Sequence, residues 1–333
     1  MKRIFVIVLF LRILFFGSLH AEGSRKSSGI DWNGYIQLRG STNFNDHYAF
    51  SLRRLKLWLY SDSCFSTPWS FKVQTTFSSF TKERFFLQDV KAGYHAGNFF
   101  LEMGQFVPQY SLQRFQHDYL LPVIERAKVI NLLIPDGTLG VRDLGVQASF
   151  ESKNHLVRTS IGIFNGYGIL EYRLNNAGFL ITHKTSIQIP IENNLLKTGY
   201  SFQYRKAEHL RIPFVLPDSV FFSGHDVRFN IFAMFSSRIL DIQGEYLNAM
   251  FDGSPAYGYY ILSTIKFNKN QIVFSWEEYR DLIVDTPDHP CFRIGYNHLF
   301  KDHKLELSAD NFFRMEDSGT EYFASIQFQI FFK

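Results

Sequence analysis

The chain has 333 residues, with 37 Phe, 17 Tyr, and 35 Lys/Arg against 31 Asp/Glu. That length suits one large all-β domain as well as two smaller ones. Setting aside the three basic residues of the N-terminal leader leaves 32 Lys/Arg against 31 Asp/Glu, too even a balance for a nucleic-acid binder. The aromatic load has two homes, a soluble core or a lipid-facing surface with aromatic girdles.

The first segment, "MKRIFVIVLFLRILFFGSLHAEG", has a basic start (Lys2, Arg3) and an apolar run from Ile4 to Phe16. A small-residue cleavage site follows, Leu19-His20-Ala21. The run is short of the roughly 20 residues a helical span needs, so residues 1–21 read as a cleaved signal peptide and 22–333 as one domain. Beyond it no apolar run reaches helical-span length, which leaves a closed barrel as the route into a membrane.

The rest alternates polar and apolar residues. "YIQLRG" places Ile36 and Leu38 on one face and Tyr35, Gln37 and Arg39 on the other. "RRLKLWLY" sets Leu55, Leu57 and Leu59 against Arg54, Lys56, Trp58 and Tyr60. The same period recurs through "WSFKVQTTF", "NFFLEMGQ", "DLGVQASF", "VRTSIGIF" and on to "YFASIQFQIFF", about sixteen strands in all. A β-sandwich with one wet face shares this period. Two features favour a barrel. Connections alternate between short ones (Ser236–Arg238, Asn268–Asn270, Lys301–His303, Glu151–His155) and longer ones (Gly166–Gly178, Ala207–Phe222, Asp281–Cys291, Arg314–Thr320). The chain also ends on an apolar strand, Ile326, Phe328, Ile330 and Phe332, although Lys333 follows the final aromatic. The expected fold is an all-β, transmembrane antiparallel barrel. Cys64 falls in a short turn and Cys291 at the foot of a long loop, on rims about 25 Å apart. Two free thiols are therefore expected, since a disulfide needs Cα atoms within about 7 Å.

No catalytic or metal-binding motif stands out. Glu277 and Glu278 are adjacent on a strand and point to opposite faces. Ser111, His117 and Asp118 are the residue types of a hydrolase triad without a selecting pattern, and the histidines show no metal-ligand spacing. The reading is a non-enzyme without a cofactor. The polar face, taken as the lumen, carries Arg39, Arg54, Lys56, Lys72, Arg142, Arg158, Arg205, Arg228 and Arg293. Acids on the same face can pair with them across strands.

One segment breaks the rhythm: "GQFVPQYSLQRFQHDYLLPVIERAKVI", Gly104 to Ile130. Its prolines forbid a central strand, and its Phe, Tyr, Leu and Ile suit burial rather than disorder. A sixteen-stranded barrel leaves an open channel. Residues 106–139, the third and longest outer connection, are expected to fold inward and narrow it, with Arg114, Glu125, Arg126 and Lys128 as pore contacts. A lid over the outer rim or a subunit contact are the other readings of this loop.

The sequence resembles the phosphate-selective porin O/P group of bacterial outer membranes. The likeness lies in "RRLKLWL" (Arg53–Leu59), "GQFVPQYSLQR" (Gly104–Arg114), "LLPVIER" (Leu120–Arg126), "DLGVQASF" (Asp143–Phe150) and "GIFNG" (Gly162–Gly166). Tyr110-Ser111 stands where the group has Phe-Gly, and Gln113 where it has an acid. The resemblance implies a sixteen-stranded, often homotrimeric channel for phosphate or polyphosphate. The function expected from the whole sequence is an outer-membrane porin, a passive channel for small hydrophilic or anionic solutes in contact with lipid. The alternative is a non-conducting barrel that serves adhesion or assembly through its outer loops.

Overall fold

A computed structural model describes residues 29–62, 67–78, 84–134, 141–169, 179–283, 290–316 and 319–332. The leader 1–21, Cys64 and Lys333 lie outside the described residues, as do 135–140 of the long loop. Sixteen strands follow one another: β1 (Asp31–Thr42), β2 (Tyr48–Ser61), β3 (Trp69–Ser78), β4 (Arg84–Ala96), β5 (Phe99–Phe106), β6 (Asp143–Glu151), β7 (Val157–Phe164) and β8 (Leu180–Ile191). The second half comprises β9 (Asn194–Leu210), β10 (Phe222–Ser236), β11 (Leu240–Phe251), β12 (Ser254–Phe267), β13 (Asn270–Arg280), β14 (Cys291–Leu299), β15 (Leu305–Glu316) and β16 (Gly319–Phe332). Each pairs antiparallel with its sequence neighbours, and β1 pairs with β16 from Gly34↔Phe332 to Thr42↔Ala324, which closes the barrel.

Closure abolishes the edge strands, so every ladder is satisfied within the wall. No helix among the described residues is long and apolar enough to cross a membrane. The wall turns its apolar side out. Leu101, Met103, Ile161, Ile163, Ile231, Ile261, Ile294 and Ile326 are exposed, while Gln147, Ser160, Gln203, Asn230, Gln243 and Gln327, on the other face, are buried. A water-soluble sandwich arranges these two classes the opposite way, so the exposed apolar surface requires lipid.

The rim holding the start of β1 and the end of β16 carries short turns, among them 97–98, 192–193 and 268–269. Longer connections rise at the opposite rim, 107–142, 165–179, 211–221 and 281–290. One long connection is absent: Arg314 and Thr320 belong to strands, because the β15–β16 ladder continues to Glu316↔Gly319. Cys291 is buried at the start of β14.

Two of the described register shifts, on β2 and β4, adjust which side chains face inward. Gln37 pairs with Arg54 but Leu38 pairs with Leu52, so Arg53 is an extra residue on β2. Gln74 pairs with Asp89 and Thr75 with Leu87, which makes Gln88 extra on β4. A bulge rotates the strand locally, so consecutive residues can share a face. Gln88 and Asp89 are both buried in consequence.

Candidate functional site: the long loop and the cavity beside it

After Phe106 the chain leaves the wall. Residues 107–134 form two short 3-10 turns, Gln113–Phe115 and Asp118–Leu120, and one helix, α1 (Lys128–Leu133). Pro108 and Pro122 remove ladder donors, so the backbone takes its partners from elsewhere. Those partners are side chains on the buried face of the wall. Asn297 on β14 donates to the Pro122 carbonyl at 2.8 Å, Arg293 to the Glu125 carbonyl at 2.7 Å, and Gln329 on β16 to the Tyr119 carbonyl at 3.0 Å. Lys184 on β8 donates to the Ser111 carbonyl, and Arg228 on β10 to that of Leu133.

Glu245 on β11 is the most heavily used anchor. Its carboxylate accepts from the amides of Leu112 (2.8 Å) and Gln113 (2.6 Å), and from the Ser111 hydroxyl (3.1 Å). Tyr260 (2.8 Å) and Asn230 (3.0 Å) donate to it from the wall. The loop's apolar residues pack beside it: Tyr110, Leu121, Val123, Val129, Ile130 and Leu133 form one core with Leu247, Ala249, Tyr260, Leu262 and Val273 of β11–β13. Ile212 and Val215, from the connection after β9, join that core.

On the other side of the loop lies a cavity of about 750 Å³, walled by β1–β5. Its lining holds eight Lys/Arg (Arg53, Arg54, Lys56, Lys72, Lys91, Arg114, Arg126, Arg142) and four Asp/Glu (Asp89, Glu102, Asp118, Glu125). The near-neutral chain therefore concentrates positive charge at one place.

Within the lining, loop acids meet wall bases. Glu125 pairs with Arg39 at 2.6 Å, Arg53 at 2.7 Å and Arg54 at 3.6 Å. Asp118 pairs with Lys56 and accepts from the Tyr35 hydroxyl at 3.2 Å. Burial alone would raise both carboxyls. The charges of Arg126, Lys56 and Arg54 outweigh it at Asp118, and those of Arg53, Arg54 and Arg39 at Glu125, so both stay well below the usual carboxylate range.

The four loop residues singled out by sequence fare differently. Arg114 lines the cavity, and its guanidinium has no ion pair among the described residues. Arg126 also lines it but is bound within the loop, to Asp118 and to the Gln113 and Gln116 carbonyls. Glu125 is a clamp for three arginines. Lys128 lies outside the lining, at the start of α1, where its amide donates to Glu277 on β13.

The wall cations occupy the buried face, mostly in pairs. Lys72 and Arg142 share Asp89 at 2.8 and 2.9 Å, and Arg205 and Arg228 share Asp226 at 2.7 and 2.8 Å. Arg293 meets Asp310 at 3.2 Å. Arg158, at the rim end of β7, is exposed and 3.9 Å from Glu151. Sequence reading missed Arg53, which strict alternation assigns to the lipid face; Glu245 falls on the lumen face by alternation, but nothing along the chain distinguishes it from other strand acids as the loop's anchor.

No family model matches the sequence, and no curated protein does. Among solved structures the chain is similar to Pseudomonas putida OprB, with a TM-score of 0.67 and 11% identity over 92% of this chain and 94% of that one. It is similar to Salmonella typhi OmpF in complex with daunomycin, TM-score 0.65 and 10% identity over 92% and 99%. A mutant of the Rh. blastica porin follows at TM-score 0.57 and 9% identity over 91% and 100%. The likeness is one of fold: this chain is built as those barrels are.

Proposed function

We propose that the protein is an outer-membrane porin, a passive diffusion channel whose long loop, 106–139, folds into the lumen and leaves the cavity beside β1–β5 as the passage. The supporting observation is that cavity, with its eight Lys/Arg against four Asp/Glu. Charged linings set ion selectivity in aqueous pores, so the passage favours anions. Phosphate, the solute implied by the motif resemblance, is one such anion. The homotrimer implied in the same way belongs to this proposal too. A non-conducting barrel would extend the apolar fill of β11–β13 across the whole lumen, and the cavity argues for conduction instead.

Planar-bilayer recording with purified protein tests the reading. The expected result is steady open-channel current with a reversal potential on the anion side in a salt gradient. Arg114→Ala should shift that potential toward neutrality, since this is the lining cation without an ion pair among the described residues. Absence of current would refute the channel, and a cation-side potential would refute the preference.

A further inference from the structure

Three rings facing the cavity stand almost parallel. Trp58 on β2 and Tyr119 in the loop differ by 17° in plane, with centroids 6.3 Å apart, and His117 lies 14° from Tyr119 at 5.3 Å. Tyr35 and Phe331 brace Tyr119 from the side at 5.5 and 4.9 Å, each tilted by 52°. Packing does not account for this set, because His117 is exposed and Trp58 and Tyr119 are only half-buried. Apolar ring faces left beside an aqueous route forgo the gain of burial.

Cations stand one step along the wall. On the inward ladder of β1 and β2, Trp58 lies opposite Asn33, Lys56 opposite Tyr35, and Arg54 opposite Gln37. Successive rungs are about 7 Å apart, so ring faces and ammonium groups alternate within the length of one small molecule. Lys72 joins from β3, opposite Tyr60. Each ammonium carries three protons. Among the described residues, Lys56 donates one hydrogen bond, to Asp118, and Lys72 one, to Asp89, so both keep donor capacity.

We propose that this part of the passage is a binding site for organic anions that carry a flat ring. The ring stacks on the faces of Trp58, Tyr119 and His117, while the anionic group is held by Lys56 and Lys72. The proposal rests on the channel reading for its route of entry, and it narrows the solute class from small anions to ring-bearing ones.

Phenyl phosphate and methyl phosphate share the charged group and differ in the ring. Titrated against open-channel current, phenyl phosphate should half-block at about tenfold lower concentration, the size of one good stacking contact. The difference should shrink to within about twofold in Tyr119→Leu and in His117→Leu, both loop positions, while methyl phosphate block stays unchanged. Equal block by the two phosphates in the unaltered protein overturns the site, as does a difference that survives both substitutions. Failure of the channel reading is separately visible as absent current. In that case phenyl phosphate is titrated onto the detergent-folded barrel by tryptophan emission: saturable quenching that methyl phosphate does not produce retains the site, and no quenching removes it.

Discussion

The Ser111 hydroxyl donates to the buried Glu245 carboxylate at 3.1 Å, from a residue whose backbone sits in the left-handed region at φ 70°. Two opposing effects meet there. A non-glycine residue pays about 1 kcal/mol for that conformation, and the hydrogen bond returns a similar amount. Ser111→Gly should therefore leave loop stability within about 1 kcal/mol of the original. Glu245→Gln should do worse, because one acceptor oxygen becomes a donor facing either the Leu112 or the Gln113 amide, which bond to different oxygens, a local loss of about 2–3 kcal/mol. The loop carries Arg114, Arg126 and Lys128, so trypsin reads the difference. Cleavage within the loop should be markedly faster in Glu245→Gln than in Ser111→Gly.

Glu125 is shared by Arg39, Arg53 and Arg54. Removing its charge leaves Arg53 and Arg54, which line the cavity, and the buried Arg39 without that counter-charge. Glu125→Gln is expected to move the reversal potential further to the anion side, opposite in sign to Arg114→Ala. The same substitution should lower the loop's resistance to trypsin, consistent with breaking a partly buried ion cluster at a cost of about 2–4 kcal/mol.

Asp118 gives the site a defined acid response. Its carboxyl is held well below its ordinary value, despite burial, by Arg126, Lys56 and Arg54. A group depressed in the folded state contributes fully above its free value of about 4 and loses that contribution as pH falls toward the depressed one. Conductance and trypsin resistance measured after return to neutral pH should therefore be unaffected by exposure to pH 5, while current recorded below about pH 4 should become unsteady as the loop loosens. Asp118→Asn should remove this transition and show the loosened behaviour already at neutral pH.

Asp226 lies between Arg205 and Arg228, at 2.7 and 2.8 Å, with all three side chains almost fully buried. Truncating one partner of such a cluster leaves buried charge uncompensated, at about 3–5 kcal/mol. Asp226→Ala is expected to lower the urea midpoint of the detergent-folded barrel by that equivalent. Lys266→Ala, which disrupts the half-exposed pair with Asp241, should change it by less than about 1 kcal/mol.

The barrel was legible because its two determinants are local. Alternation such as Tyr35/Gln37/Arg39 against Ile36/Leu38 and the unequal connection lengths can both be read without knowing any partner. The site was legible only in outline. Prolines and exposed charges pointed to the loop, but the partner of each charge depends on closure of the barrel. Arg126 is engaged by Asp118, eight residues away, a pairing that spacing in an irregular segment does not specify. Arg53 escaped because one bulge at Gln37/Leu38 shifts the period by a residue, and alternation carries no sign of that shift. Glu245 is separated from its loop partners by 132 to 134 residues.

The loop's attachment to β11–β13 divides labour around the circumference of the wall. One arc gives the loop an apolar seat and the Glu245 carboxylate, β1 and β2 hold it by charge through Glu125 and Asp118, and β3–β5 complete the cavity lining. Under the channel reading, a substitution at Lys72 or Gln74 changes the cavity lining, while one at Leu247 or Val273 changes the loop's seat. Such a barrel can change its lining one side chain at a time and keep its architecture.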